Sequence, residues 1–180
     1  MNNIAVIYKS RYGTTKKYAQ WISQALEARL FEASEVKPSQ LADYDVVVFG
    51  GGLYMGRIDG VKLVAEIACK KLVVFTVGLE DPKTADYAAV LGRAFTPGQL
   101  AQIGAFHLRG AIAYKNLGLL HKGMMAILKK SALKEGKTQL SSEEMAIVET
   151  RGEDADFTDR DSIAPLVGFV REQLSAPADS

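Results

Sequence analysis

The chain has 180 residues, 48% of them hydrophobic and 24% charged, with a formal net charge of +1. Its size predicts a single domain able to bury a good core, and its near-neutrality speaks against a nucleic-acid binder and against a strongly acidic carrier. Cys69 is the only cysteine, which excludes an internal disulfide and a cysteine-based metal cluster.

Residues 4–8, Ile-Ala-Val-Ile-Tyr, read as a short strand buried on both faces. The turn after it, Ser10, Arg11, Tyr12, Gly13, Thr14 and Thr15, supplies three hydroxyls, and Gly13 permits a sharp reversal. The helix that follows carries Tyr18, Trp21, Ile22, Ala25 and Leu26 on one stripe. Free backbone N–H groups and the positive end of the helix dipole meet in that turn, which makes it an anion site with phosphate as the expected anion. The plainer alternative is an ordinary strand-to-helix turn capped by Thr14.

Residues 30–36 form a weaker, alternating strand expected at a sheet edge, and Lys37-Pro38 breaks the chain. Residues 45–50 (DVVVFG) predict a central strand, and residues 50–59 a loop too rich in glycine for regular structure. A helix is predicted over 60–70, with Cys69 as a buried small hydrophobe. Asp59 is expected to cap it. Residues 71–77 (KLVVFTV) predict the next central strand, and a helix runs over about 84–95. Pro97-Gly98 reads as a turn before a fifth strand near 104–109. Alternation of strand and helix favours a parallel sheet covered on both faces.

The alternation stops after residue 110. The stretch of about 111–158 is too long for a simple connection and reads as an insertion. Its first half holds a lysine-rich helix candidate over 116–133, with Leu120, Met124, Ile127 and Leu128 on one face. Its second half is acidic and offers a capping box at Ser141 and Glu144. A last helix is predicted over 162–174, with Asp161 as its cap and Pro165 tolerated in its first turn. The first strand begins near residue 4 and no apolar run is long enough to span a bilayer, so no signal peptide is expected and a cytoplasmic location is. His107 and His121 show no metal-ligand spacing, and no metal site is expected.

In an open parallel sheet a ligand sits beyond the C-terminal strand ends, at the switch in strand order. Three segments leave such ends. The first is the hydroxyl-rich turn. The second, Gly51, Gly52, Leu53, Tyr54, Met55 and Gly56, offers bare backbone to a flat ring, and Tyr54 and Met55 either pack on that ring or cover the sheet edge. The third, Gly78, Leu79, Glu80 and Asp81, offers a carbonyl or carboxylate to a ring N–H, or is an exposed helix entry. Phosphate at one end and a planar, hydrogen-bonding ring at the other describe flavin mononucleotide (FMN). The first turn has no G-x-G-x-x-G for a dinucleotide and no G-x-x-x-x-G-K-[ST] for a nucleoside triphosphate. The acidic cluster of a response regulator is replaced by Lys9-Ser10, and the phosphate loop has no cysteine nucleophile.

At these residues the chain resembles the flavodoxin-like family, whose phosphate loop [ST]-x-[ST]-G-x-T is present as Ser10-Arg-Tyr-Gly-Thr-Thr15 with Tyr12 in place of the middle hydroxyl. Within the family it is most similar to the bacterial quinone-dependent protoporphyrinogen IX dehydrogenase branch. The likeness lies in Gly50-Gly-Gly-Leu-Tyr-Met-Gly56, Val77-Gly-Leu79, Arg109-Gly-Ala-Ile-Ala-Tyr114, Met124-Met-Ala-Ile-Leu-Lys-Lys130 and Phe157-Thr-Asp159. The resemblance implies a doubly wound five-stranded parallel sheet with an insertion after the fifth strand. It implies FMN with its phosphate on Ser10–Thr15 and its ring between the other two segments. It also implies an oxidoreductase whose partner is a small molecule or protein: a porphyrinogen, a quinone or a reductase. The insertion differs from the branch in its acidic half and its few aromatics. Its lysine-rich helix either lies on an anionic membrane surface, packs on its own domain, or docks on the acidic half as a cover for the flavin edge. The competing function is an electron carrier without a substrate of its own. No catalytic side chain is evident: His107 reads as structural, and Tyr114 and His121 stand where the insertion begins.

Overall fold

In the computed structural model the described residues are 3–54, 56–67, 69–83, 87–113, 150 and 153–175. Five parallel strands form the sheet: β1 (Ile4–Lys9), β2 (Arg29–Glu32), β3 (Val46–Tyr54), β5 (Leu72–Gly78) and β6 (Gly104–Arg109). Their spatial order is β2-β1-β3-β5-β6. This is the order of a doubly wound α/β sheet, and its direction reverses between β1 and β3, which marks the ligand crevice. A short β4 (Arg57–Ile58) folds back antiparallel on β3, pairing Leu53 with Ile58 and Tyr54 with Arg57.

Strand residues point alternately into two cores. Val6, Val48, Val73 and Phe75 face one core, which is covered by α1 (Thr14–Leu26) through Tyr18, Ala19 and Ile22 and by α5 (Ala164–Ser175) through Leu166, Val167 and Val170. Ala5, Ile7, Val47, Phe49 and Val74 face the other. That core is covered by α2 (Lys62–Ala65), α3 (Ala88–Gly92) and α4 (Pro97–Leu100) through residues that include Val64, Leu91 and Leu100. Burial on both faces explains why the central strands read as unbroken Val, Ile and Phe runs.

Several boundaries differ from the sequence expectation. The β3 strand does not end at Gly50 but runs to Tyr54, so Gly51, Gly52, Leu53 and Tyr54 belong to a strand and not to a loop. The second strand stops at Glu32, where Ala33–Glu35 turn as a 3-10 helix. The helix expected over 60–70 is one turn, Lys62–Ala65, and half-buried Cys69 lies beyond it. Pro97-Gly98 opens the helical turn α4, with Thr96 accepting the Gln99 N–H. Before the last helix it is Asp159, not Asp161, whose carboxylate accepts a backbone N–H, that of Asp161 (3.0 Å). The insertion starts and ends in a two-stranded antiparallel stem, β7 (Ala111–Ile112) with β8 (Ala155–Asp156). The helix candidate over 116–133, Tyr114, His121, the capping box at Ser141 and Met55 lie outside the described residues, as do residues 84–86 of the helix expected over 84–95.

Candidate functional site

The hydroxyl-rich turn joins β1 to α1 at the C-terminal end of the sheet. Gly13 is the N-cap of α1 with φ 92°, a left-handed conformation that suits glycine, and a Cβ there would meet nothing within 4 Å. Ser10 Oγ accepts the Gly13 N–H at 3.0 Å, which closes the turn. No side chain caps the helix, and Lys17 N–H to Gly13 O (3.0 Å) is the bond that opens its ladder. Thr14 is therefore the first helical residue and not its cap. The N–H groups of Thr14, Thr15 and Lys16 precede that ladder, at the positive end of a 13-residue helix. These donors fit a phosphate group, and the turn holds no carboxylate that would repel one.

Arg11 leaves the turn sideways. Its Nε donates to Asp59 Oδ2 at 2.7 Å and its Nη2 approaches Oδ1 at 3.5 Å, while its guanidinium lies 4.4 Å from the centroid of the Tyr54 ring. Asp59 thus does not cap α2, whose N-cap Val61 has no side-chain bond. The hydrogen bond to Asp59 raises the proton affinity of Arg11 further. Arg11 therefore ties the Ser10–Thr15 turn to the β3–β4 hairpin and covers one face of Tyr54. At the hairpin's other side Arg93 Nη1 donates to Gly56 O at 2.8 Å. Tyr12 stands 47% exposed at the rim.

The three consecutive glycines have different uses. A Cβ on Gly50 would overlap the buried Phe75 ring, and one on Gly51 would stand 2.5 Å from Ile58 Cγ2 and 2.6 Å from Asp59 O. Both are small because the protein's own core and hairpin press on them. Of the three, Gly52 alone faces the turn after β1: the nearest atom to its missing Cβ is Thr15 Oγ1 at 3.5 Å. Bare backbone for a ring is thus offered by Gly52, with Leu53 and Tyr54 beyond it.

The Gly78–Asp81 segment is held from below by β6. Gly110 N donates to Gly78 O at 2.6 Å and Arg109 Nε donates to Leu79 O at 3.0 Å. Asp81 Oδ1 accepts the Lys83 N–H at 2.9 Å, so that carboxylate closes its own turn. His107 lies under the segment, its Cε1 3.2 Å from the Cβ position of Gly78. Its Nδ1 and Thr76 Oγ1 are 2.7 Å apart, and Tyr87 stacks on its ring with centroids 3.8 Å apart and 17° between planes. Burial pushes the His107 pKa down to about 4, against a smaller upward pull from the Glu80 backbone. Burial likewise pushes the Tyr87 phenol up, with Glu80 and Asp81 acting in the same direction. Burial thus favours the neutral form of the His107 ring.

The turn after β1, Gly52 at the end of β3 and the carbonyl-bearing turn after β5 therefore open at the same end of the sheet. The sequence named these three segments. It offered Arg109 and Gly110 only within a family-like run, with no place at the site, and singled out neither Thr76 nor Tyr87; the bonds of Arg109 and Gly110 to the Leu79 and Gly78 carbonyls follow from the register that pairs Arg109 with Gly78.

An open α/β sheet with an anion-ready turn after its first strand defines the class of mononucleotide-binding folds. A family model described as flavodoxin domain matches residues 5–141, and the chain belongs to that family, whose cofactor is FMN. Over 53 residues the chain is 34% identical to an uncharacterized protein of Methanocaldococcus jannaschii, a stretch that spans 29% of this chain and 35% of that protein's length. Among solved structures, flavodoxin 2 of Bacillus cereus is 19% identical, with 59% of this chain and 84% of that one covered and a TM-score of 0.46. A flavoprotein of Lactobacillus acidophilus in complex with FMN is 13% identical, covering 61% and 93%, with a TM-score of 0.41. The rubredoxin oxygen:oxidoreductase of Desulfovibrio gigas is 13% identical over 98% of this chain and 38% of that one, with a TM-score of 0.48. No helix among the described residues is long and apolar enough to cross a membrane.

Proposed function

We propose that this chain is an FMN-dependent oxidoreductase. The observation that carries the reading is the uncapped start of α1 behind the Ser10–Gly13 turn, with the glycine end of β3 beside it. In this reading the N–H groups of Thr14 and Thr15 and the hydroxyls of Ser10, Thr14 and Thr15 hold the phosphate. Gly52, Leu53, Tyr54 and Gly56 line one side of the ring, and Gly78, Leu79, Glu80 and Asp81 the other. FMN supplies the chemistry, the reversible uptake of electrons and protons on its ring. The chain binds, orients and tunes. Arg11 fixes the hairpin against the Ser10–Thr15 turn, and in this reading a carbonyl of the Gly78–Asp81 segment accepts a ring N–H, with Gly78 O and Leu79 O already bonded to Gly110 N–H and Arg109 Nε. His107, held neutral, adds no charge beneath it.

The finer proposal is oxidation of a porphyrinogen or a related small molecule, with a quinone as acceptor. Its support is the sequence resemblance to the quinone-dependent branch and the near-neutral charge, which suits a protein not specialised to steer toward basic carrier partners. Contact of the lysine-rich insertion with an anionic membrane, where a quinone is found, belongs to the same proposal. The test is an anaerobic visible spectrum of the FMN-loaded protein during addition of protoporphyrinogen IX, then of a menaquinone analogue. Bleaching followed by recovery is the expected result. Bands unmoved by the porphyrinogen, in a protein that a flavodoxin reductase does reduce, would leave an electron carrier instead.

A further inference from the structure

Three parts of the molecule meet at Gly110. The insertion leaves the sheet there and returns at Phe157, whose N–H donates to Gly110 O at 3.1 Å. Its first and last residues pair as the β7–β8 stem. Gly110 N donates in turn to Gly78 O, and Arg109 Nε to Leu79 O, so the stem begins on the turn assigned to the flavin ring. The guanidinium of Arg109 also lies 3.9 Å from the centroid of the Phe157 ring. The phosphate-facing helix joins the same knot. Tyr18, fully buried, donates its hydroxyl to Arg109 O at 2.7 Å and accepts the Asp159 N–H at 3.1 Å. Lys17 Nζ donates to Thr158 Oγ1 at 2.7 Å and pairs with Asp156 at 3.4 Å. A Cβ at position 110 would stand 2.9 Å from Val77 Cγ1 and 3.6 Å from Thr14 Cγ2, so no side chain separates β5, α1 and the stem.

We propose that Arg109 is a positioning residue that makes the ring-facing turn and the stem of the insertion one mechanical unit. The planar guanidinium does two things at once: its edge donates to the Leu79 carbonyl while its face stacks on Phe157. An ammonium group offers no flat face for such a stack. FMN seated between the phosphate turn and the Leu79 turn therefore steadies the stem. By linkage, a load on the stem alters FMN affinity by the same factor. The proposal rests on the FMN reading above and adds to it a route from the cofactor to the insertion. Arg109 acts through the Leu79 carbonyl and is given no part in the chemistry.

The experiment is amide hydrogen exchange by mass spectrometry on the full chain, with and without saturating FMN, in the wild type, Arg109→Lys and Phe157→Leu. FMN is expected to slow exchange of the β7 and β8 amides by about tenfold or more in the wild type. In both variants that slowing is expected to fall at least threefold at the stem, where the Gly110 backbone bonds remain, and to persist in full at the start of α1. Phe157→Leu carries the comparison alone if Arg109→Lys does not fold, because it leaves the Leu79 bond and removes only the stack. Stem amides indifferent to FMN in a wild type that binds it would overturn the proposal, as would protection that survives undiminished in the folded variants. A wild type that takes up no FMN would sink the underlying reading, and the proposal with it.

Discussion

Acid should weaken this fold through one histidine. His107 is pressed between Thr76 and the Tyr87 ring beneath the Gly78 turn, and its pKa is pushed from 6.5 down to about 4 by burial. The unfolded chain then binds a proton between about pH 6.5 and 4 that the folded chain refuses. Stability is therefore full above the unfolded value and falls as pH drops toward the folded one. At about 1.36 kcal/mol for each tenfold change in proton affinity, the whole window amounts to about 3 kcal/mol, of which about 2 kcal/mol is gone by pH 5. The carboxylates of Asp45 and Asp156, held below their usual value by hydrogen bonds from Asn3 and Thr158, weaken the fold only at lower pH. The assay is urea unfolding of the apoprotein at intervals from pH 7.5 to 4.5, in the wild type and in His107→Gln. The variant is needed because the chain has a second histidine, His121. Glutamine keeps a polar partner for Thr76 and does not titrate. Loss of most of the slope between pH 6.5 and 4.5 in the variant is the expected result; an unchanged slope would refute the assignment to His107.

Other substitutions separate packing from binding. Gly50→Ala forces a methyl into the fully buried Phe75 ring and should cost about 3 kcal/mol of unfolding free energy, read by chemical denaturation. Gly52→Ala meets only Thr15 Oγ1 at ordinary contact distance, so it should leave apoprotein stability within about 1 kcal/mol while weakening FMN in a fluorescence titration. Gly13→Ala has open space but φ 92°, and the strain of that backbone should cost about 1–2 kcal/mol and disturb the phosphate turn. Arg11→Ala removes a surface pair with Asp59 and should change stability by less than about 1 kcal/mol, yet loosen FMN binding because the hairpin is no longer tied to the turn.

The sheet was legible because its strands are buried on both faces, so Ile4-Ala-Val-Ile-Tyr8 and Asp45-Val-Val-Val-Phe49 carry no competing signal. The sharp turn after β1 was legible because glycine is the residue that takes a left-handed conformation at little cost, and Gly13 does adopt it. Residues 50–59 misled for a physical reason. Glycine lowers strand propensity, yet at Gly50 and Gly51 it is the close approach of Phe75 and the β4 turn that demands it, and neighbouring strands on both sides hold the segment extended. Asp59 carried a good capping signal, and a long-range arginine outbid the local helix. The role of Arg109 was hidden because it depends on register: only pairing with Gly78 brings its guanidinium to the Leu79 carbonyl and the returning Phe157.

A flavin whose phosphate sits at the start of α1 must lose affinity when that phosphate is removed. Fluorescence titration of the apoprotein with FMN and, in parallel, with riboflavin tests it most directly, because the two ligands differ only in the phosphate. Saturable binding of FMN at one site is expected, with riboflavin weaker by about a hundredfold, the worth of one or two charge-assisted hydrogen bonds. Equal affinity for both ligands, or no binding of FMN, would contradict it.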